Sequence, residues 1–112
     1  NDYQYIGGYV NGKIIAIMVY HKYKDGSKCH VQVLPEYRKT HALQFGEQSL
    51  IFRGTQPLYA EIPSLYKNVL DFAFRFGFEV IETKTQDYCK DGKLHDLHIL
   101  RFNDGIFQRF NR

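Results

Sequence analysis

Two cationic side chains follow an apolar run and a proline in the first half of the chain. Val31 and Val33 lie in the run, Pro35 ends it, and Arg38 and Lys39 come shortly after. A strand that leads through a turn into a helix leaves backbone N–H groups without partners inside the helix, and such groups bind anions. The segment therefore predicts a site for an anionic ligand.

A second set of chemically capable side chains lies near the end of the chain. Cys89, His95, Asp96 and His98 are residue types that ligate metal ions. Residues three apart on a strand point to opposite faces of a sheet, so His95 and His98 do not easily share one ion. We therefore assign no metal ligand from the sequence.

Composition indicates a packed domain with a modest core. The chain has 112 residues, of which 44% are hydrophobic and 16% aromatic. Its net charge of +3 suits a small anionic ligand and is too low to indicate nucleic acid, so no nucleic acid is expected. No apolar run reaches the ~18 residues that span a membrane, so no membrane association is expected.

The cysteine pattern and the search for a signal peptide predict the cellular compartment of the protein. Cys29 and Cys89 are isolated in sequence and no signal peptide is evident, which is typical of proteins with reduced thiols. We expect a cytoplasmic protein, and the host cytoplasm during phage infection is included in that expectation. Residues 1–112 are predicted to form a single domain, with residues 103–112 as a C-terminal tail.

The first third of the chain is predicted to form an antiparallel meander of three strands. Asn11-Gly12 separates the first two alternating runs, and Asp25-Gly26 separates the second from the third. Asn-Gly is favoured where both central residues of a tight hairpin turn need positive φ. Pro35 ends the third strand because it lacks the N–H that a ladder requires.

Two amphipathic helices are predicted beyond this meander. The first covers Lys39–Phe52 and precedes a short buried strand, Leu58–Ile62. The second runs over Tyr66–Phe76 and ends at Gly77, a natural left-handed cap. Its predicted apolar face consists of Val69, Phe72, Ala73 and Phe76.

Two further strands complete the predicted fold. The first begins at Phe78, and the second covers Leu94–Phe102. Asp91-Gly92 lies between them and predicts another tight turn. The order of elements is therefore three strands, a helix, a strand, a helix and two strands.

Val33, Pro35 and Arg38 resemble the cofactor motif of the GNAT superfamily, V-x-P-x-x-R-x-x-G-x-G/A. Members of this superfamily are N-acetyltransferases that use acetyl-CoA. His41 and Leu43 stand where the motif has two small residues. The helix that ends in Gly77-Phe78 is similar to the second motif of the family, N-x-x-A-x-x-L-Y-x-x-x-G-F.

The resemblance covers nearly the whole chain and implies a fold class. That class is α/β (α+β), with a mixed, mostly antiparallel central sheet and flanking helices, as in the acyl-CoA N-acyltransferases. The first strand and opening helices of the family have no counterpart here, so N-terminal elements are expected to be missing. The chain is also similar to small GNAT-like proteins of tailed phages, some of which are described as head-assembly proteins.

The resemblance implies that acetyl-CoA binds as co-substrate around Pro35. In the family, backbone groups of the strand bind the pantetheine arm, and the strand residues here are Val31, Val33 and Leu34. The N–H groups of the following turn hold the pyrophosphate. The corresponding residues are Arg38, Lys39, Thr40, His41, Ala42 and Leu43.

The resemblance also implies roles in catalysis. Transfer of an acetyl group to an amine needs a base for the amine proton and an acid for the thiolate. His30 and Glu61 are alternatives for the base. The family has a tyrosine acid where this chain has Ala73, and Tyr66 and Tyr88 are neighbouring tyrosines that could replace it.

Two functions are therefore predicted as alternatives. The first is an N-acetyltransferase that acts on an unknown amine. The second is a catalytically inactive GNAT-fold phage protein that acts in head assembly or protein interaction. Aromatic residues expected outside the core, Phe74, Phe107 and Phe110, predict a surface for a protein partner.

Overall fold

The first turn of the chain lies at Asn11-Gly12. In a computed structural model of the chain, which describes residues 3–53 and 57–103, Asn11 and Gly12 have φ of 51° and 80°. Positive φ at both positions is characteristic of the tight hairpin turn that the sequence predicts. The turn joins β1 (Tyr3–Val10) to β2 (Lys13–Tyr23), and β2 pairs with β3 (Gly26–Val33), all antiparallel. The predicted meander is confirmed.

The second turn lies one residue earlier than predicted. Tyr23 pairs with Gly26, so Lys24 and Asp25 form the turn, and Lys24 has φ of 49°. The predicted turn at Asp25-Gly26 is therefore wrong by one residue. The register between β2 and β3 is set by the side chains of β2 that must face the core, and this register places the turn.

A helix covers one face of this meander. The short 3-10 turn Pro35–Tyr37 leads into α1 (Arg38–Arg53), so the helix start predicted at Lys39 is confirmed to within one residue. Ala42 and Phe45 of α1 are buried, and the hydroxyl of Tyr20 on β2 donates to the carbonyl of Ser49, 2.9 Å away. Helix and sheet therefore share a core within the first unit.

The other described helix and strands lie between residues 57 and 103, in the second half of the chain. They are β4 (Leu58–Pro63), α2 (Lys67–Arg75), β5 (Phe78–Lys90) and β6 (Lys93–Phe102). β6 pairs antiparallel with both β4 and β5. The turn at Asp91-Gly92 has φ of 53° and 76°, which confirms the predicted hairpin.

The buried face of α2 differs from the prediction by one residue. Leu70 and Ala73 are buried, whereas Val69 is 47% exposed. The prediction that Val69 faces the core is wrong. Both residues are apolar and lie within one turn of Ala73, so the docking of the helix decides which is covered. Gly77 has φ of 96° and donates its N–H to the carbonyl of Phe74, which confirms the predicted cap.

The described strands and helices form an α+β fold. Residues 1–56 and 57–112 group as two compact units, and each contains three antiparallel strands and one helix among its described residues. The prediction of one domain over residues 1–112 stays a prediction. Phe107 and Phe110, and the predicted tail apart from its first residue, lie outside the described residues. Within the described ranges, no helix is both long and apolar enough to cross a membrane.

Replacement of Gly8 by alanine tests the packing of α1 on β1. An added Cβ would lie 2.7 Å from Cδ1 of Phe45, whose side chain is buried. We expect Gly8→Ala to lower the free energy of unfolding by about 1–3 kcal/mol, because a buried ring must shift to make room. Urea denaturation of the full chain measures this change.

Gly7→Ala is the matched control for that substitution. Its Cβ would lie 2.9 Å from the ring of Tyr9, but Tyr9 is 65% exposed and can turn away. We expect a change within about 0.5 kcal/mol. Equal losses of stability for the two variants would show that the contact of Gly8 with Phe45 is not the cause.

Candidate functional site

The junction between β3 and α1 is held by backbone hydrogen bonds. Leu34 follows the last residue of β3 and donates its N–H to the carbonyl of Ile15, 2.9 Å away. The N–H of Tyr37 donates to the carbonyl of Leu34, also at 2.9 Å. The turn after Pro35 is thus attached to β2 on one side and leads directly into the helix on the other. The start of α1 has a defined position within this unit.

The first turn of α1 is basic. Arg38 and Lys39 are exposed, and no acidic residue lies in this turn. Nε of Arg38 donates to the carbonyl of Val33 at 3.0 Å, so the guanidinium folds back onto the end of β3. The positive end of the helix dipole adds to the two side-chain charges. The first turn of α1 therefore carries two cations, and one exposed acid, Glu36, lies in the 3-10 turn before it.

Helical geometry selects among the N–H groups predicted to bind the pyrophosphate. The N–H of Arg38 donates to the carbonyl of Pro35. In a helix that begins at Arg38, the N–H groups of His41, Ala42 and Leu43 donate to carbonyls four residues earlier, beginning with that of Tyr37. The N–H groups of Lys39 and Thr40 are then the best placed donors for a ligand. Their role stays a prediction.

His41 and Leu43 occupy the positions where the motif has small residues. The imidazole of His41 packs against Tyr37, with ring centroids 5.4 Å apart, and its Nδ1 lies 2.6 Å from the hydroxyl of Thr40. Leu43 is 47% exposed. The His41 ring is thereby held on the Tyr37 side of the turn.

The two residues predicted as the base lie in different units. His30 is exposed on β3, and its Nε2 lies 2.9 Å from Nε2 of His21. Glu61 is half-buried on β4, opposite Ile99 of β6. Both side chains are of types that transfer protons, and both assignments stay predictions.

Ala73, which stands where the family has its tyrosine acid, is buried in α2. The two tyrosines that the sequence offered as replacements meet elsewhere in the same unit, together with a lysine that the sequence did not single out. The hydroxyls of Tyr66 and Tyr88 are 3.2 Å apart, and Nζ of Lys90 donates to the Tyr66 hydroxyl at 3.0 Å. We call these three side chains the tyrosine–lysine cluster.

Asp96 holds the two segments that carry the tyrosines of this cluster. Its Oδ1 accepts the N–H of Gln86 at 3.0 Å, at an irregularity of β5 where Gln86 has φ of 52°. Its backbone carbonyl accepts the N–H of Ser64 at 2.8 Å, just before Tyr66. Bulges redirect side chains, and here the irregularity precedes Tyr88. No glycine marks this position, so the sequence carried no signal for it.

Hydrogen bonding makes the phenols of the cluster unequal. The bond with Tyr88, and then the bond from Lys90, lowers the pKa of Tyr66. The bond with Tyr66 raises the pKa of Tyr88 and also that of Lys90. Tyr66 is therefore the phenol of this pair that loses its proton first, as suits a group that gives or takes a proton.

Lys90→Met is expected to raise the pKa of Tyr66. The substitution removes an N–H donor and a positive charge that stabilise the phenolate, so deprotonation needs a higher pH. Tyr88→Phe acts in the same direction, since it removes the first of the two hydrogen bonds. ¹³C NMR of ring-labelled tyrosine as a function of pH, with Tyr66→Phe for assignment, measures the shift.

Lys93→Met is the control for the tyrosine titration. It removes an equal charge from the same hairpin, at a residue paired with Lys90 across the strands. An equal rise of the Tyr66 pKa in both variants would indicate a general charge effect and no specific hydrogen bond.

No metal centre of the usual size is evident in the described part of the chain. No group of three or more His, Cys, Asp or Glu side chains is placed there to hold an ion. His98 shares a hydrogen bond with the hydroxyl of Thr83, 2.9 Å from its Nδ1, and His95 lies opposite Tyr88.

Several solved structures with a similar fold are named as acetyltransferases. A chimera of spermidine N-acetyltransferase SpeG from Vibrio cholerae and hSSAT matches with a TM-score of 0.84 at 12% identity, over 100% of this chain and 74% of that chain. An acetyltransferase of the GNAT family from Streptococcus pneumoniae has a TM-score of 0.78 at 13% identity, over 89% of this chain and 66% of that one. A ribosomal-protein-alanine N-acetyltransferase from Escherichia coli has a TM-score of 0.74 at 19% identity, over 90% and 68%.

These similarities show the fold. No protein-family model and no curated protein matches the sequence. The chain has the fold of the GNAT acetyltransferases, which confirms the fold that the resemblance at Val33, Pro35 and Arg38 implied. It corresponds to between 66% and 74% of the lengths of the three chains compared.

Proposed function

We propose that this chain is an N-acetyltransferase that transfers an acetyl group from acetyl-CoA to an amine. The observation that carries the proposal is the junction of β3 and α1. A strand ends at Val33, a proline follows, and the helix then begins with two exposed cations and no acid in its first turn. The three enzymes compared act, by their names, as acetyltransferases, and this supports the same reaction class.

The residues of the junction suit the anionic parts of acetyl-CoA. The N–H groups of Lys39 and Thr40 would hold the pyrophosphate, with charge from Arg38 and Lys39. Arg38 has several N–H donors, so its bond from Nε to Val33 is compatible with binding an anion as well. Val31, Val33 and Leu34 would contact the pantetheine arm.

Proton transfer is assigned to side chains of suitable chemistry. Acetyl-CoA, when bound, supplies the acetyl group as a thioester. His30 or Glu61 takes a proton from the acceptor nitrogen as general base. Tyr66, whose pKa is lowered by Tyr88 and Lys90, is the side chain of the second unit with the chemistry of the tyrosine acid that is missing at Ala73.

Calorimetry with acetyl-CoA and the full chain tests the binding site. We expect micromolar binding that weakens by about tenfold or more in Arg38→Ala/Lys39→Ala, since each charge-assisted hydrogen bond contributes about 1.5–3 kcal/mol. Lys39→Ala alone is expected to weaken binding less, and it leaves the bond of Arg38 to Val33 intact.

Lys84→Ala/Lys93→Ala is the matched control for the binding test. It removes the same charge from exposed positions of β5 and β6. If both double variants lose affinity equally, the effect is one of net charge and the junction is not the site. Absence of binding at millimolar acetyl-CoA would overturn the proposed cofactor.

The assignment of the base is tested by the release of free thiol from acetyl-CoA with a panel of amines that includes spermidine. Replacement of the true base by glutamine is expected to lower the rate of thiol release by about 10²-fold or more, since general bases contribute that much. His30→Gln and Glu61→Gln are compared, and one is expected to serve as control for the other. Full activity in both variants would remove both residues from the mechanism.

A second candidate function is a catalytically inactive GNAT-fold protein that acts in phage head assembly or another protein interaction. The buried Ala73 in place of a tyrosine, and the exposed Phe74, favour this alternative. Binding of acetyl-CoA with no thiol release for any amine tested would support it over the enzyme.

A further inference from the structure

Two histidines face each other on the surface of the first unit. His21 lies on β2 and His30 on β3, and the strands pair so that Lys28 is opposite His21 and Val19 is opposite His30. The histidines are therefore diagonal neighbours on one face of the sheet. Their Nε2 atoms are 2.9 Å apart, their ring centroids 5.0 Å apart, and their ring planes differ by 12°. The two Nε2 atoms thus lie between the rings.

A backbone carbonyl sets the tautomer of His21. Its Nδ1 lies 3.3 Å from the carbonyl oxygen of Lys22. A carbonyl oxygen accepts, so Nδ1 carries the proton and Nε2 of the neutral ring carries the lone pair. His30 then donates from its own Nε2 to that lone pair. A histidine with one nitrogen bonded to a carbonyl and the other bearing a lone pair is oriented as a metal ligand.

The spacing of the two nitrogens suits a shared ion. Metal–nitrogen bonds of about 2.0–2.1 Å place two imidazole nitrogens about 2.8–3.4 Å apart on square-planar or tetrahedral ions. The observed 2.9 Å lies in that range. An ion would replace the proton between the rings, with a rotation that turns both lone pairs toward one point. His30 is exposed to solvent.

We propose that His21 and His30 form a two-histidine site for a divalent transition-metal ion, with Cu²⁺ bound most tightly. Imidazole is a suitable ligand for Cu²⁺, and Cu²⁺ is at the top of the affinity order for such ligands. Lys28 is opposite His21, and its Nζ lies over the ring of Tyr23, 4.7 Å from the centroid. Water completes the coordination, which leaves positions open for exchange.

Titration of the full chain with CuSO₄ in a buffer that does not bind copper tests the site. Calorimetry is expected to give a stoichiometry near one ion per chain. His21→Gln and His30→Gln are each expected to weaken binding by at least about tenfold, the loss associated with removal of even an outer partner of a ligating histidine. His95→Gln, in the second unit, is the matched control and is expected to bind like the unmodified chain.

Electron paramagnetic resonance of the copper complex gives a second readout that needs no variant to fold. Hyperfine structure from two imidazole nitrogens is the expected spectrum, and circular dichroism checks the fold of each variant. The proposal is overturned if neither substitution weakens binding, if His95→Gln weakens it equally, or if copper binds at millimolar concentrations only. A spectrum with one or no coordinated nitrogen also overturns it.

Discussion

A backbone hydrogen bond and a proline together determine the geometry on which the proposed acetyl-CoA site depends. Leu34 donates to Ile15, so the chain leaves β3 while still attached to β2. Pro35 follows and has no N–H to continue the ladder, so the chain turns and α1 begins. The positive end of the helix is thereby placed next to the last residues of β3. Without this attachment, Arg38 and Lys39 would be ordinary surface cations.

In the second unit, hydrogen bonds to Asp96 fix the backbone in a comparable way. Asp96 accepts a hydrogen bond at its side chain from β5 and another at its backbone from the segment before α2. These bonds align Tyr88 with Tyr66, which are 22 residues apart in sequence and share a hydrogen bond. A lowered pKa at Tyr66 follows from contacts that a strand irregularity makes possible. Local backbone geometry therefore shapes the acid–base chemistry of this unit.

Local conformational rules account for most of the fold that could be predicted. Asn11-Gly12 and Asp91-Gly92 adopt positive φ because tight hairpins need it, and Gly77 does so because a helix ends there. The alternation of His30 and Gln32 with Val31 and Val33 predicted which side chains of β3 are more exposed. Predictions failed where two neighbouring residues were equally suitable, as with Val69 and Leu70 on α2.

The sequence by itself determined the elements of this protein, their order, and the basic helix start that follows Pro35, since turn conformation, strand alternation and helix termination depend on neighbouring residues. The tertiary structure decided the register of β2 and β3, the covered face of α2, and the meetings of His21 with His30 and of Tyr66 with Tyr88. Such contacts join residues that are distant in sequence, and strand pairing and side-chain packing bring them together. No pattern of spacing along the chain encodes those distances.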